Sequence, residues 1–152
     1  YLKQQGYRTA QVTIDFGGYM WNAPYARCME KGDQQAVEEL KSLYLEAAED
    51  SFDAGQELSN MLFGRDMKHT LLLHIGAFTG LMLPDLFELL DDLDFKVVTL
   101  AEAHSDPAYE SDPDVAITRG ETLLMQMALS KKLDYPRHPD DSYSDQLGKF
   151  CR

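Results

Sequence analysis

A histidine follows three consecutive leucines in the stretch KHTLLLHIGAF, residues 68–78. A short apolar run with polar residues before it and a glycine after it is typical of a buried strand in a parallel sheet. His74 would then lie at the carboxyl end of that strand, where α/β sheets and barrels bind ligands and place catalytic side chains. Two interpretations are open: His74 is a site residue at a strand end, or it is a core histidine with satisfied hydrogen bonds.

The other three histidines do not form a metal-binding pattern with His74. His69 precedes it by five residues, and an odd spacing along a strand places two side chains on opposite faces, so they cannot bind one ion. We therefore expect His69 to be structural. His104 and His138 lie among Asp and Pro residues, in segments predicted to be solvated loops.

The elements that must position His74 alternate between strand and helix patterns. Six stretches have such patterns, in the order strand, helix, strand, helix, strand, helix: 8–15, 33–62, 68–74, 81–92, 95–100 and 118–133. Asp33 is the expected N-cap of the first helix, Gly55 is a candidate break in it, and Pro84 fits the first turn of the second. This alternation predicts an α/β fold with parallel strands joined by right-handed crossovers.

The remaining segments are predicted to be irregular, apart from the first residues, which have the pattern of the end of a helix. Residues 16–25 have the glycine and proline content of a loop, and residues 134–152 are predicted to be irregular. The first residues, YLKQQG, have the pattern of a helix end stopped by Gly6 and lack an initial methionine. We therefore expect that an upstream portion was removed, together with any signal peptide.

Composition limits the classes of function. The chain has 152 residues, 44 % of them hydrophobic, which is enough for one globular domain with a core. Its net charge of −12 argues against nucleic-acid binding, and no stretch approaches the roughly 20 apolar residues of a membrane span. Cys28 and Cys151 could be free thiols or one disulfide, so the redox compartment stays open. The acidic cluster near residue 92 lacks the glycine and distal glutamate of a calcium loop and indicates a solvated helix end. Its members are Asp91, Asp92 and Asp94.

Two sequence segments together resemble a known family. Residues 11–28 and 68–100 are similar to the carboxyl-terminal half of the NodB-homology polysaccharide deacetylases, carbohydrate esterase family 4. That family has an Asp-x-x-Asp-Trp motif after one strand and a Leu-x-Leu-His motif at the end of the next. Residues 71–74 match the second motif, whereas Asp15 and, loosely, Tyr19 match the first.

The resemblance implies a fold and an activity. The fold would be part of a distorted (β/α) barrel, formed by residues 1–110 and followed by a helical or irregular extension, residues 111–152. The activity would be removal of acetyl groups from acetylated polysaccharides or oligosaccharides. The reaction would use a divalent metal, which we expect to be zinc. The protein would be secreted or periplasmic. The metal ligands and the general base of the family lie upstream of both motifs, and this chain has no such ligand set.

The resemblance also assigns roles to individual residues. His74 would be the general acid that protonates the leaving nitrogen or oxygen, and Leu71 and Leu73 would form an apolar wall against the acetyl methyl group. The second aspartate of the first motif falls on Gly18, and without it the protonated fraction of His74 should fall. Asp15 is the nearest substitute, although a strand-end aspartate is also a common turn former. Tyr19 and Trp21 are the two aromatic candidates for a sugar pocket, with packing of the loop as the alternative.

The sequence therefore predicts part of a deacetylase-like hydrolase that is inactive alone. One alternative is a non-enzymatic carbohydrate-binding or interaction domain on the same fold, which the glycine at position 18 favours. Another is an unrelated α/β domain in which His74 is a core residue. Part of a barrel has strand edges that are not paired. We therefore expect the chain either to bind the missing amino-terminal half as a partner or to associate with copies of itself.

Overall fold

The computed structural model describes residue 1 and residues 3–7, 9–135 and 139–152, and within these ranges the regular secondary structure is helical, with irregular segments between the helices. Six α-helices are present in these ranges: α1 Asn22–Lys31, α2 Gln34–Phe63, α3 Ala77–Asp92, α4 Leu100–Ala103, α5 Leu123–Ser130 and α6 Pro139–Leu147. Short 3-10 helices occupy Lys3–Gln5, Gly18–Trp21 and Pro107–Glu110. None of the described helices has the length and apolar content needed to cross a membrane.

In the part of the chain that the structure describes, the predicted parallel sheet is not formed, so the prediction of an α/β fold and of a (β/α) barrel is wrong. Within the described ranges, the only contact of strand type is an isolated parallel bridge between Ile14 and Leu71. The Ile14 N–H donates to the Thr70 carbonyl at 3.2 Å, and the Leu72 N–H donates to the Ile14 carbonyl at 2.9 Å. Two neighbouring extended segments therefore meet in the parallel direction, but their pairing does not extend into a ladder.

The third predicted strand, 95–100, does not join the first two. Its first amide, Phe95 N–H, instead donates to the Leu90 carbonyl at the end of α3, at 2.8 Å. Its last residues form a helix start, because the Thr99 side chain caps α4 by accepting from the Glu102 N–H. β-branched residues favour a strand only when a neighbouring strand pairs with them. Here the segment instead forms the end of α3 and the start of α4.

Helix α2 is the long helix that the periodicity predicts, and it is continuous through Gly55. It has 30 residues, and the Asp33 side chain caps it by accepting from the Ala36 N–H at 3.0 Å. Gly55 allows Ile14 to approach the helix, since a Cβ at position 55 would lie 3.0 Å from Ile14 Cγ1. The glycine thus marks a close contact with the bridge segment rather than a break in the helix.

Helix α3 begins earlier than the sequence predicts. It starts at Ala77, so Pro84 lies inside the helix and not in its first turn. The amino-terminal end is held by a distant residue, because the Asn22 side-chain Oδ1 accepts from the Phe78 N–H at 3.1 Å. No local pattern reveals this contact between residues 56 positions apart.

An aromatic cluster forms the centre of the larger core. Tyr44 of α2 lies at the middle, with ring centroids 5.0 Å from Phe16, 5.4 Å from Trp21 and 5.5 Å from Phe78. Edge-to-face arrangements at these distances stabilise aromatic side chains beyond simple burial. A second, smaller core joins α2, α5 and the 106–110 region; its buried residues are Leu58, Met67, Ala108, Leu124, Met125 and Ala128.

The carboxyl-terminal segment is ordered against the rest of the chain, so the prediction that all of 134–152 is irregular is wrong for α6. Tyr143 of α6 is buried near Trp21 and donates its hydroxyl hydrogen to Asp50 Oδ2 at 2.6 Å. Cys28 and Cys151 form a disulfide with their Cα atoms 5.1 Å apart, which settles the question that the sequence left open. The Arg27 guanidinium donates to the Leu147 carbonyl at 3.2 Å, at the end of α6.

Candidate functional site

The bridge between Ile14 and Leu71 brings the two motif segments side by side. Asp15 to Tyr19 follow the first bridge residue, and Leu73 and His74 follow the second. As a result, the rings of Tyr19 and His74 are in contact, with centroids 5.1 Å apart and an angle of 65° between their planes. Two of the predicted site residues, distant in sequence, therefore form one surface.

His74 is half-buried and one of its ring nitrogens is enclosed. Nδ1 has no accessible surface and no hydrogen-bond partner in the described part of the chain. At Gly18, where the resemblance would place an aspartate, the nearest atoms to an added Cβ are those of the Phe16 ring and Tyr44 Oη, at 3.6 to 3.9 Å. A carboxylate at position 18 would thus begin beside the aromatic core.

Asp15 forms a local turn and lines a pocket that His74 does not line. Its Oδ1 accepts from the Gly17 N–H at 2.9 Å, which is the turn-forming alternative that the sequence left open. The pocket has a volume of about 320 Å³ and lies between α2, α5 and α6. Three further carboxylates line it, from Asp50, Asp53 and Glu57. The described structure therefore places Asp15 and His74 on different surfaces.

Leu71 and Leu73 line a second, apolar groove of about 300 Å³, on which His74 again does not lie. The two aromatic candidates differ in exposure. Tyr19 is exposed, whereas Trp21 is fully buried against Tyr44 and has no surface with which to contact a sugar.

His69 is a structural residue, as expected. Its side chain is buried, with Nδ1 3.2 Å from Thr13 Oγ1 and Nε2 3.0 Å from Asp66 Oδ1. Burial lowers the pKa of His69 from its usual value, and the neighbouring Asp66 carboxylate opposes that effect. Both ring nitrogens therefore have polar partners, one in the segment of Thr13 and the other at Asp66.

The prediction that His104 is solvated is wrong. Its ring is half-buried and stacks on Tyr109 at a centroid distance of 4.1 Å and an angle of 12°, and its Nε2 is buried without a partner in the described ranges. His138 lies outside the residues that the structure describes. The acidic cluster Asp91, Asp92 and Asp94 is exposed, as predicted for a solvated helix end.

The sequence reasoning missed Asp106, a carboxylate with a partly buried network of hydrogen bonds. It accepts from the Arg65 guanidinium at 2.6 and 2.9 Å and from the backbone N–H groups of Lys68 and Ala108 at 3.2 and 2.9 Å. The Arg65 guanidinium and these N–H groups hold the pKa of Asp106 well below its usual range. The Asp-Pro pair at 106–107 is typical of a helix start, and this pattern could have identified Asp106 as a capping residue. This carboxylate ties residue 68 to the 106–110 turn and is structural.

Across the described residues, no group of three or more His, Cys, Asp or Glu side chains is arranged to hold a metal ion. The divalent metal that the resemblance implies therefore has no fitting ligand set in this part of the chain. No protein-family model, curated protein or solved structure matches the chain significantly.

Proposed function

We propose that this chain contributes His74 to the site of a carbohydrate deacetylase-like hydrolase, where His74 protonates the leaving nitrogen or oxygen of an acetylated sugar. The observation that supports the proposal is the contact between the two motif segments, with Tyr19 5.1 Å from His74. The resemblance rests on these same segments, and the contact gives the half-buried histidine an aromatic neighbour that is itself exposed.

The role proposed for His74 is limited to proton transfer. A positioned histidine acid contributes about 100-fold to 10,000-fold to a rate. With Nδ1 enclosed, Nε2 is the nitrogen that would donate the proton. In the resembling family the metal ligands precede both motifs, so we place them in a polypeptide segment outside these 152 residues and derive no step through the metal.

A second candidate is a carbohydrate-binding domain without catalysis. The observation that favours it is the enclosed Nδ1 of His74, which has no carboxylate or other acceptor in the described structure. A histidine that transfers a proton is held in position by a hydrogen bond from its other ring nitrogen, and Nδ1 of His74 lacks this contact within the described residues. Tyr19 and His74 would then serve as a surface on which a sugar ring stacks.

Acetate release tests both candidates. The natural full-length protein would be incubated with zinc and with N-acetylated or O-acetylated oligosaccharides, and compared with its His74→Ala and His104→Ala variants. Because both variants remove a half-buried histidine with an enclosed nitrogen, His104→Ala controls for loss of packing. The hydrolase proposal expects a loss of at least about 100-fold in His74→Ala alone, with sugar binding retained.

The two candidates give different results. Saturable binding of an acetylated oligosaccharide without acetate release, weakened by Tyr19→Ala, would favour the binding domain. If His74→Ala releases acetate as fast as the natural protein, His74 is not the acid. If neither binding nor hydrolysis occurs with any acetylated sugar, both candidates are wrong.

A further inference from the structure

An apolar groove lies between the segment 69–73 and the segment 95–100. Leu71 and Leu73 form one wall, Phe95 and Val97 form the other, and the volume enclosed is about 300 Å³. Val97 is 72 % exposed and Phe87, at the end of the groove formed by α3, is 51 % exposed. Apolar side chains grouped in this way at a surface are typical of an interaction site.

Both walls of the groove carry unpaired backbone groups. In the parallel bridge, Thr70 and Leu72 direct their backbone groups to the 12–14 segment, so those of Leu71 and Leu73 point to the opposite side. Neither Leu71 nor Leu73 forms a backbone–backbone hydrogen bond within the described ranges. The same holds for residues 96–98 on the other wall. Unpaired backbone groups beside an extended segment are a template for an added strand.

The charge of the groove differs from that of the chain. No carboxylate of the described residues lines it, although the chain has 26 acidic residues and four carboxylates line the pocket beside Asp15. Lys96 does line the groove, and no acidic side chain of the described residues lies within ion-pair distance of it. A ligand that carries a negative charge would therefore complement this surface.

We propose that this groove binds an extended peptide segment of another polypeptide, apolar at alternate positions and with a carboxylate that faces Lys96. The two free backbone edges select an extended peptide over a helix, because a helix has already paired its own backbone groups. A second copy of this chain fits less well, since each copy carries a net charge of −12. The inference does not depend on the proposed hydrolase function.

A labelled peptide tests the proposal by fluorescence anisotropy. The peptide would have seven residues, with valines alternating with threonines and a glutamate at the central position. We expect saturable binding to the full chain, weakened at least tenfold when alternate backbone amides of the peptide are N-methylated. N-methylation removes the hydrogen-bond donors and keeps the side chains, so it separates strand pairing from apolar contact.

Two variants in the groove and one control variant outside it locate the site. Val97→Asp should weaken binding at least tenfold, whereas Ile117→Asp, at another exposed apolar residue outside the groove, should leave it unchanged. Lys96→Glu should weaken binding of the glutamate peptide and restore it when the peptide carries lysine instead. Far-ultraviolet circular dichroism would verify that each variant is folded.

Three results would overturn the proposal. The first is absence of saturation up to about 1 mM peptide, which corresponds to only about 4 kcal/mol. The second is equal binding of the N-methylated peptide. The third is sedimentation as a dimer that Val97→Asp converts to a monomer, which would identify a second copy of the chain as the occupant.

Discussion

The ring of Tyr19 lies edge-on to the ring of His74, although 55 residues separate them, and the bridge between Ile14 and Leu71 brings their two segments together. Tyr19 follows a left-handed glycine, Gly17 with φ 65°, which turns the chain into the 3-10 helix Gly18–Trp21. His74 precedes the extended Gly76 that leads into α3. The candidate site is therefore formed where two extended segments end and two helical segments begin.

Removal of the Tyr19 ring should change the magnetic environment of His74. An aromatic ring with its centroid 5.1 Å away shifts the resonances of the His74 ring protons, and Tyr19→Ala would abolish that shift. Tyr19→Phe keeps the ring and should retain it. The resonances of His104, which stacks on Tyr109, serve as an internal control in the same NMR spectra. Identical His74 resonances in all three proteins would show that the rings are not in contact in solution.

Loss of the disulfide should lower the free energy of unfolding. Cys28 and Cys151 are 123 residues apart, and closing a loop of this size restricts the unfolded chain by an amount worth about 3 to 5 kcal/mol. The double variant Cys28→Ala with Cys151→Ala should therefore unfold at a clearly lower urea concentration. The natural protein in the presence of a thiol reductant should behave in the same way. Equal urea midpoints for the oxidised and reduced protein would contradict a stabilising disulfide.

Sequence patterns predict those elements whose stabilising contacts are local. The long helix α2 follows from apolar periodicity and from the Asp33 cap, both readable within a few residues. The strand pattern at 95–100 is equally clear, yet the structure uses that segment to end α3 and to begin α4. Strand formation needs a lateral partner, and a local pattern contains no information on whether one is present.

In the candidate site too, features set by neighbouring residues could be predicted from the sequence, and features set by distant segments could not. The turn at Asp15 could be anticipated, because its partner is two residues away. The contact between Tyr19 and His74, the cap of α3 by Asn22 and the burial of Trp21 all depend on segments far apart in sequence. For Trp21, the sequence left a sugar pocket and packing of the loop as alternatives, and the contacts with Tyr44 and Tyr143 show that it packs.

Substitution of Asp106 should destabilise the protein in a manner that depends on pH. Asp106→Asn removes the negative charge that accepts four hydrogen bonds, and a loss of about 2 kcal/mol is expected at neutral pH. Because the pKa of native Asp106 is depressed, its contribution is complete above the unfolded aspartate pKa of about 3.9. The contribution decreases as the pH falls from there through the native pKa.

Urea unfolding at pH 7 and at about pH 3 measures this effect. The difference between the natural protein and Asp106→Asn should be smaller at the lower pH. Asp92→Asn, at an exposed position, is the matched control and should change stability by less than about 0.5 kcal/mol at either pH. A difference that is independent of pH would mean that the charge of Asp106 is not the stabilising feature.

Substitution of Gly55 should disturb the bridge segment despite a gain in helix propensity. Alanine in place of glycine inside a helix stabilises by about 1 kcal/mol when space is available. Here the new Cβ would lie 3.0 Å from Cγ1 and 3.2 Å from Cδ1 of Ile14, which is 1 % exposed and held by the bridge to Leu71. Overpacking of a fixed core residue costs about 1 to 3 kcal/mol, so Gly55→Ala should be destabilising by about 1 kcal/mol overall.

A double-mutant cycle with Ile14→Val separates the two effects. Valine lacks Cδ1, so it should relieve part of the crowding, and Gly55→Ala should cost less in the Ile14→Val background than in the natural protein. Ala54→Gly, at the adjacent and half-buried position of the same helix, measures the difference in helix propensity between alanine and glycine. The Tyr19 and His74 resonances should shift together in Gly55→Ala, because displacement of Ile14 moves the segment that carries Tyr19. Additive changes in stability, with both sets of resonances unchanged, would show that α2 does not position the site through Ile14.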